Sequence, residues 1–272
     1  GVMTSSTPNN GPGYVKNCGP NNAPESGNAP SHCVVCLSSD FLAYAEKNGC
    51  SFIQCASCNY IFCHPRPTQE QLNKIYRGGD EEGAANEDFF PKASSRRRRA
   101  FFNALKLRRY IRDNRSLDLG CGGGFFTDAA RLMGGDSHGL DVNGEAIAYA
   151  RRRFQKCEFH LGSFENFRGK IGNFDFVYSS EVIEHLNDVE DYMDFLSSVM
   201  RPDGVVFITT PDIEWTGGAE NPVDWDVFSP PIHIQFFCEK TLVRLFRRYG
   251  FVPLRRVPDC GAGLKMLFCK QR

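Results

Sequence analysis

The stretch SLDLGCGGGFF, residues 116–126, places four glycines in five positions directly after a short, largely apolar run that contains Asp118. Glycine allows left-handed backbone angles and lets a ligand come close to the main chain. A helix that begins after such a loop offers unpaired N–H groups to that ligand. The stretch therefore predicts a strand, a ligand-binding loop and a helix, with a tight turn that binds nothing as the alternative.

Apolar runs and amphipathic segments alternate on both sides of this loop. The predicted strands are 115–119, 137–141, 157–160, 174–179, 204–210, 251–257 and 264–270. The predicted helices are 93–112, 125–133, 144–155, 188–200 and 239–249. This alternation is typical of an α/β fold with a doubly wound sheet that carries helices on both faces.

Two aspartates indicate which ligand the loop would take. The dinucleotide pattern GxGxxG fails here because Phe125 stands where its third glycine should be. Asp118 would repel a pyrophosphate but suits an ammonium group. Asp141 ends the next predicted strand, about 20 residues further on, where a carboxylate accepts hydrogen bonds from ribose hydroxyls. Together they predict a site for a nucleoside that carries an amino acid, which describes S-adenosylmethionine.

Four segments in this order carry a family resemblance: LDLGCGGG (117–124), GLDV (139–142), FDFVYSSEVIEHL (174–186) and RPDGVVFITTP (201–211). They resemble the class I S-adenosylmethionine-dependent methyltransferases, in particular the branch of the ubiquinone-biosynthesis O-methyltransferases. The resemblance covers roughly residues 93–270. It implies a Rossmann-like sheet of seven strands in the order 3-2-1-4-5-7-6, with the last strand antiparallel.

The resemblance also implies roles for residues around the donor. Asp118 and Gly120 would face the methionine part, Asp141 the ribose and Val142 the adenine ring. Ser163 stands where the family often has an acid near the adenine amine. Further donor-binding candidates are Cys121, Gly122 and Ser180.

Methyl transfer needs the donor and acceptor held in line, and a base if the acceptor is a hydroxyl. If a helical turn begins at residue 181, Glu181, Glu184 and His185 share one face. Such a group can form a general base, for which His185 is the candidate, or a site for Mg²⁺ or another divalent ion. His233, in the loop before the last long helix, is a candidate second acid/base or substrate contact. Helix capping by Glu181 and packing of the two histidines are the alternatives.

The N-terminal part contains Cys33-Val-Val-Cys36 and, after 18 intervening residues, Cys55-Ala-Ser-Cys58. Two CxxC pairs at this separation predict a closed, structural Zn²⁺ site of the zinc-ribbon type. A segment this short lacks a core of its own, so a metal would hold its fold. Spare ligand candidates are His32, Cys50, Cys63 and His64.

These patterns divide the chain into a disordered lead-in at 1–31, a zinc-binding module at 32–67, a helix and linker at 68–92, and a methyltransferase domain at 93–272. The linker segment includes a predicted helix at 68–76.

Charge and hydropathy limit the partners. Lys and Arg number 32, as do Asp and Glu, so no overall charge draws the protein to nucleic acid or an anionic membrane. No apolar stretch is long enough to span a membrane and no secretory signal is present, which favours a cytoplasmic protein. We expect a small-molecule acceptor with a sugar or phenolic hydroxyl. The alternatives are RNA, which Arg96–Arg99 would contact, and a non-catalytic scaffold that binds S-adenosylmethionine.

Overall fold

Two β-sheets and the helices packed on them make up the described part of the chain. The structure is a computed structural model that describes residues 16–17, 30–68, 92–215, 217, 221–258 and 261–272. One sheet has seven strands and the other five.

The strands are β1 (Lys16–Asn17), β2 (Phe41–Lys47), β3 (Cys50–Cys55), β4 (Ile61–Cys63), β5 (Arg115–Leu119), β6 (Asp136–Asp141), β7 (Glu158–Leu161), β8 (Phe174–Ser180), β9 (Met200–Pro211), β10 (Gln235–Phe236), β11 (Phe251–Arg256) and β12 (Gly263–Lys270). The α-helices are α1 (Ala93–Ile111), α2 (Phe125–Leu132), α3 (Gly144–Arg153), α4 (Phe164–Phe167), α5 (Val189–Val199) and α6 (Glu239–Arg248). Short 3₁₀ helices cover Ile183–His185 and Pro222–Asp224.

The seven-stranded sheet has the order β11-β12-β9-β8-β5-β6-β7. The strands from β7 through β9 are parallel, and β12 runs antiparallel to both of its neighbours. The predicted order and the antiparallel last strand are therefore confirmed. In the sheet, β6 lies on one side of β5 and β8 on the other. The strand order therefore reverses at the carboxyl end of β5, and ligands of such sheets bind at this switch point.

Alternate residues of β5 face opposite layers of helices. Leu117 and Leu119 belong to a core that includes buried residues of α5 and α6. Asp118 faces the other way, where the Thr127 hydroxyl of α2 donates to it. A second apolar core packs α1 and α2 against that face of the sheet. The sheet thus has helices on both faces, as predicted.

The predicted and observed element ends agree within two residues, except at the start of β9. The strand was predicted to begin at residue 204. It begins at Met200, which pairs with Phe174. The chain stays in the sheet because Asp203 adopts a left-handed conformation (φ 63°) and the register against β8 shifts there.

The five-stranded sheet joins the N-terminal module to the part of the chain that forms the seven-stranded sheet. Strands β2, β3 and β4 form an antiparallel meander, and β10 pairs with β4 although it lies between β9 and α6 in the chain. Buried residues of the module such as Cys33 and Tyr60 belong to the same apolar core as Tyr192 of α5. The module is therefore packed into the larger part of the molecule.

Two predictions lie mainly outside the described residues: the disordered lead-in and the helix at 68–76. Within the lead-in, Lys16–Asn17 pairs with β2. None of the helices in the described ranges is long and apolar enough to cross a membrane.

Candidate functional site

The glycine loop between β5 and α2 takes positive φ angles at Gly120, Gly122 and Gly124. A Cβ on Gly120 would lie 2.5 Å from Val182, and one on Gly124 would lie 2.7 Å from Phe159. Both glycines are thus required by packing as well as by backbone angle. A Cβ on Gly122 would meet nothing within 4 Å, so this position faces open space at the switch point. The loop therefore has the bare backbone that a ligand needs for close approach.

Asp118 lies buried beside this loop, with 6% of its surface exposed. The Thr127 hydroxyl donates to its Oδ2 at 2.8 Å. Burial, with a smaller contribution from the charge of Asp141, raises the pKa of Asp118 to about 7. A cationic group bound here would gain from the ionised carboxylate, so the position suits the ammonium group of an amino acid.

Asp141 ends β6 and holds the glycine loop by hydrogen bonds. Its Oδ2 accepts from the Gly122 amide at 2.7 Å and its Oδ1 from the Asn143 amide at 2.8 Å. Each carboxylate oxygen has two lone pairs, so both retain acceptor capacity for hydroxyl groups. This arrangement is compatible with a ribose at the end of β6.

The other predicted donor-binding residues have different surroundings. Val142 is 70% exposed directly after Asp141, so its side chain is accessible to a flat ring. The Cys121 side chain is buried, which leaves its backbone to line the loop. The Ser163 hydroxyl donates to Asn166, within the α4 cap. Ser180, at the end of β8, shares a hydrogen bond of 2.8 Å with Thr209.

A helical turn was predicted to begin at residue 181, directly after β8, but none begins there. Glu181 has a left-handed backbone (φ 56°) and stands outside the 3₁₀ turn Ile183–His185. Its amide donates to the Thr209 carbonyl, and its Oε1 accepts from the Thr209 hydroxyl at 2.7 Å. The end of β9 thus holds Glu181 outside the turn, but its carboxyl group still lies close to Glu184 and its charge acts on Glu184 and His185.

His185 also lies beside His233, and their ring centroids are 4.8 Å apart. His185 Nδ1 is 2.9 Å from the Ile232 carbonyl, and His233 Nδ1 is 2.5 Å from the Val227 carbonyl. A carbonyl only accepts, so each Nδ1 carries the proton and each Nε2 carries the lone pair. Burial lowers the pKa of His185, so its imidazole is neutral at neutral pH.

Glu184 is fully buried in this group. The Thr210 hydroxyl donates to its Oε2 at 3.0 Å, whereas Oε1 has no hydrogen-bond partner among the described residues. Oε1 lies 3.9 Å from His185 Nε2. Burial, together with the nearby charge of Glu181, raises the pKa of Glu184 well above its ordinary value. A buried carboxyl oxygen without a partner is costly, and a cation or a hydroxyl donor placed there would satisfy it.

One ligand atom each from Glu184, His185 and His233 lies within 4.8 Å of the others. Two imidazoles and a carboxyl group can accept a proton or hold a divalent ion. This group sits beyond the end of β8, at the same edge of the sheet as Asp118 and Asp141. The edge therefore combines a predicted donor site with a group able to activate an acceptor.

Sequence reasoning missed several residues that organise the edge. Thr209 and Thr210 end β9 and hold Glu181 and Glu184. In the sequence, these two threonines are marked only as a polar pair near the end of an apolar strand. Gln235 is fully buried and contacts the backbone of the 3₁₀ turn, but nothing in its sequence context distinguishes it.

The four predicted zinc ligands lie together in the module. The sulfurs of Cys33 and Cys58 are 3.6 Å apart, those of Cys36 and Cys55 are 3.5 Å apart, and all four lie within 4.8 Å of one another. Tetrahedral zinc with Zn–S bonds of about 2.3 Å separates its sulfurs by about 3.8 Å. The donor set and its spacing fit Zn²⁺.

The two CxxC segments have the same backbone design. Leu37 N donates to the Cys33 carbonyl and Asn59 N to the Cys55 carbonyl, each at 2.8 Å. Leu37 and Asn59 both take left-handed angles, with φ 67° and 65°. This repeated turn brings the two sulfurs of each pair to one side. The spare candidates Cys50 and Cys63 are not part of the four-sulfur group.

A second histidine group lies on β6 and β7, away from the glycine loop. His138 Nδ1 is 3.4 Å from both His160 Nε2 and the Glu158 carboxylate. The two ring centroids are 5.6 Å apart, and the ring planes are nearly parallel. Arg115 also lies against His138 at 3.3 Å. We assign this group to ion pairing at the edge of the sheet.

Comparisons with known proteins agree with this geometry. A family model described as "Methyltransferase domain" matches residues 89–255, more than half of the chain. Ubiquinone biosynthesis O-methyltransferase of Aromatoleum aromaticum is 34% identical over 101 residues, which are 35% of this chain and 43% of that protein. The mitochondrial enzyme of the same description from Bos taurus is 34% identical over 102 residues, 35% of this chain and 28% of its own length. The match thus spans less than half the length of these relatives.

Solved structures share the fold at low identity. An S-adenosylmethionine-dependent methyltransferase from Mesorhizobium loti superposes with a TM-score of 0.53 at 17% identity, covering 63% of this chain and 98% of its own. The 1,6-didemethyltoxoflavin-N1-methyltransferase of Burkholderia thailandensis gives 0.53 at 18%, covering 85% and 99%. Because the family model matches more than half of the chain, the chain belongs to the methyltransferase domain family.

Proposed function

We propose that the protein methylates a hydroxyl oxygen of a small sugar or phenolic acceptor, with His185 as the general base. S-adenosylmethionine supplies a methyl group on a positively charged sulfur. The names of the relatives support O-methylation. The observation that carries the proposal is the neutral His185, with its Nε2 lone pair beside buried Glu184, at the edge that also carries the glycine loop.

Asp118 and Asp141 bind the donor in this proposal. Asp118 faces its ammonium group, and Asp141 accepts from the ribose while it holds Gly122 in place. Gly122 leaves the room for close approach. Val142 contacts the adenine ring with its exposed side chain. Gly120 and the Cys121 backbone complete the loop, whereas Ser163 follows β7 and Ser180 ends β8.

His185 accepts the acceptor's proton at Nε2. Its Nδ1–H bond to the Ile232 carbonyl fixes the tautomer and the ring orientation. The lowered pKa keeps the ring unprotonated at neutral pH, ready to take a proton. The nearby charge of Glu181 stabilises the imidazolium that forms. His233 packs against the base and restricts its ring.

The same group can hold a divalent ion. Glu184, His185 and His233 would be its ligands, and the partnerless Glu184 Oε1 supports this version. A bound divalent ion lowers the pKa of a hydroxyl that coordinates it. The N-terminal site is structural in our proposal, because four cysteines close the coordination of Zn²⁺ and leave no position for a substrate.

A methyl-incorporation assay tests the proposal. Labelled S-adenosylmethionine is offered with catechols, with nucleotide-linked sugars, and with ribosomal and transfer RNA. We expect label in a small hydroxyl compound and none in RNA. Label in RNA would support the alternative of an RNA methyltransferase, and donor binding without any transfer would support the non-catalytic scaffold.

Two substitutions test the base. We expect His185→Ala to lower kcat by about 10²-fold or more. The matched control is His160→Ala, which removes a histidine that contacts His138 and Phe167 away from the site. Donor affinity should stay within about twofold in both variants. Full turnover by His185→Ala would refute the assignment of the base.

A further inference from the structure

We infer that Gln235 is a positioning residue through which the four-cysteine module holds the catalytic 3₁₀ turn Ile183–His185 in place. The inference rests on the proposed role of His185 in that turn. It makes the module part of the active-site architecture rather than an appendage.

Gln235 uses its whole side-chain hydrogen-bonding capacity at this junction. Its Nε2 donates to the carbonyls of Ile183 and Leu186, the latter at 3.0 Å. Its Oε1 accepts from the Tyr60 hydroxyl and from Arg66 Nη1, the latter at 2.9 Å. A primary amide offers two donors and two acceptor lone pairs, so all four are engaged. The side chain is fully buried, so water cannot replace any of these bonds.

The turn has little support of its own. The Leu186 amide reaches the Ile183 carbonyl at 3.4 Å, a long hydrogen bond, and the His185 amide reaches Val182 at 3.0 Å. A 3₁₀ helix of three residues is marginal, and its terminal carbonyls need outside partners. Gln235 supplies those partners at both ends of the turn.

The main chain beside Gln235 carries the same link. The Ile234 amide donates to the Glu184 carbonyl at 3.0 Å, and the Cys63 amide donates to the Ile234 carbonyl at 2.7 Å. Gln235 itself pairs with Phe62 in the antiparallel β10–β4 ladder. A continuous hydrogen-bonded path therefore runs from β4 of the module, through β10, to Glu184.

Tyr60 and Arg66 connect this path to the cysteine site. Tyr60 is fully buried, and its carbonyl accepts from the amide of Cys55. Arg66 lies over the Phe62 ring at 5.1 Å and also donates to the Leu186 carbonyl at 3.4 Å. Arg66 also donates to the Tyr60 hydroxyl at 3.3 Å, so the two side chains link the Cys55 segment to the 3₁₀ turn.

Gln235→Leu tests the inference, because leucine has a similar volume and no polar groups. The matched control is Lys47→Met. It removes another hydrogen bond between the module and the loop that joins β9 to α6, from Lys47 Nζ to the Val223 carbonyl at 2.6 Å, away from the turn. Amide hydrogen exchange is measured on the full chain. We expect exchange at Leu186 and Ile234 to become about tenfold faster in Gln235→Leu and to stay unchanged in Lys47→Met.

Histidine NMR gives a second readout. In Gln235→Leu the His185 resonances should shift, because the turn that carries the ring loses its outside partners. The side chains that face His185 are those of Glu181, Glu184 and His233, and none of them is altered. Unchanged His185 resonances in Gln235→Leu would contradict the inference.

Tyr60→Phe decides the question if Gln235→Leu does not fold. It removes only the hydroxyl that donates to Gln235, and a smaller acceleration of exchange at Leu186 is expected. Equal exchange in the wild type and Tyr60→Phe would then overturn the inference. These readouts need no methyl transfer, so they can fail or succeed independently of the assignment of His185 as base.

Discussion

Replacing Gly122 by alanine separates backbone strain from ligand exclusion. Gly122 has φ +49°, and a Cβ there would meet nothing within 4 Å of the protein. The substitution therefore adds a methyl group only to the space in which we place the donor. Gly250→Ala is the matched control, because Gly250 has φ +80° and equally open surroundings after α6, away from that site.

The expected cost in stability is similar for both variants. An alanine in the left-handed region costs about 1–2 kcal/mol, and the reduced freedom of the unfolded chain returns about 0.4–1 kcal/mol. The net loss is about 1 kcal/mol, which lowers Tm by about 2–4 °C in a chain of this size. Donor affinity should differ: a methyl group that prevents close approach costs at least about 1.4 kcal/mol, a tenfold rise in Kd.

Thermal unfolding and calorimetric titration with S-adenosylhomocysteine measure the two quantities. We expect matched Tm losses, with affinity reduced only in Gly122→Ala. The reasoning is refuted if both variants lose the same stability and Gly122→Ala still binds within twofold of Gly250→Ala.

Three further predictions concern ionisable and metal-binding groups. Donor affinity should weaken as pH falls below about 7, the pKa to which burial raises Asp118, and titration of Asp118→Asn should show no such dependence. Because burial raises the pKa of Glu184, the folded protein retains a proton that the unfolded chain releases, so stability falls as pH rises above 4.5. Urea unfolding at pH 5 and pH 8 should therefore show a smaller difference in Glu184→Gln than in the wild type. The Cys58→Ser variant should contain no zinc in elemental analysis and should be less stable than the wild type. The Cys269→Ser variant, changed outside the four-sulfur group, should keep the zinc and the stability of the wild type.

Short sequence patterns were sufficient to predict the strands and helices of the α/β framework. Leu117–Leu119 and the glycines after them predicted the first strand, the loop and the following helix, because strand burial and positive φ angles depend on neighbouring residues. The resemblance of four segments supplied the sheet order. The spacing of the two CxxC pairs predicted a four-sulfur group for a similar reason, since each pair closes its own short turn.

The grouping of residues at the candidate active site required the tertiary structure. Helical spacing predicted that Glu181, Glu184 and His185 would share a helical turn, but Thr209 holds Glu181 outside the turn and the loop between β9 and α6 adds His233 to the group. No local signal marks such contacts, because they depend on where a distant strand ends.

The sequence by itself determined the α/β framework, the bare loop beside Asp118 and the cysteine pairs, since each follows from interactions over a few residues. Only the tertiary structure decided that β10 joins the module's sheet and that Gln235 reaches the 3₁₀ turn Ile183–His185. Such pairings join residues far apart in the chain. Their formation depends on the packing of the whole core, which no single segment encodes.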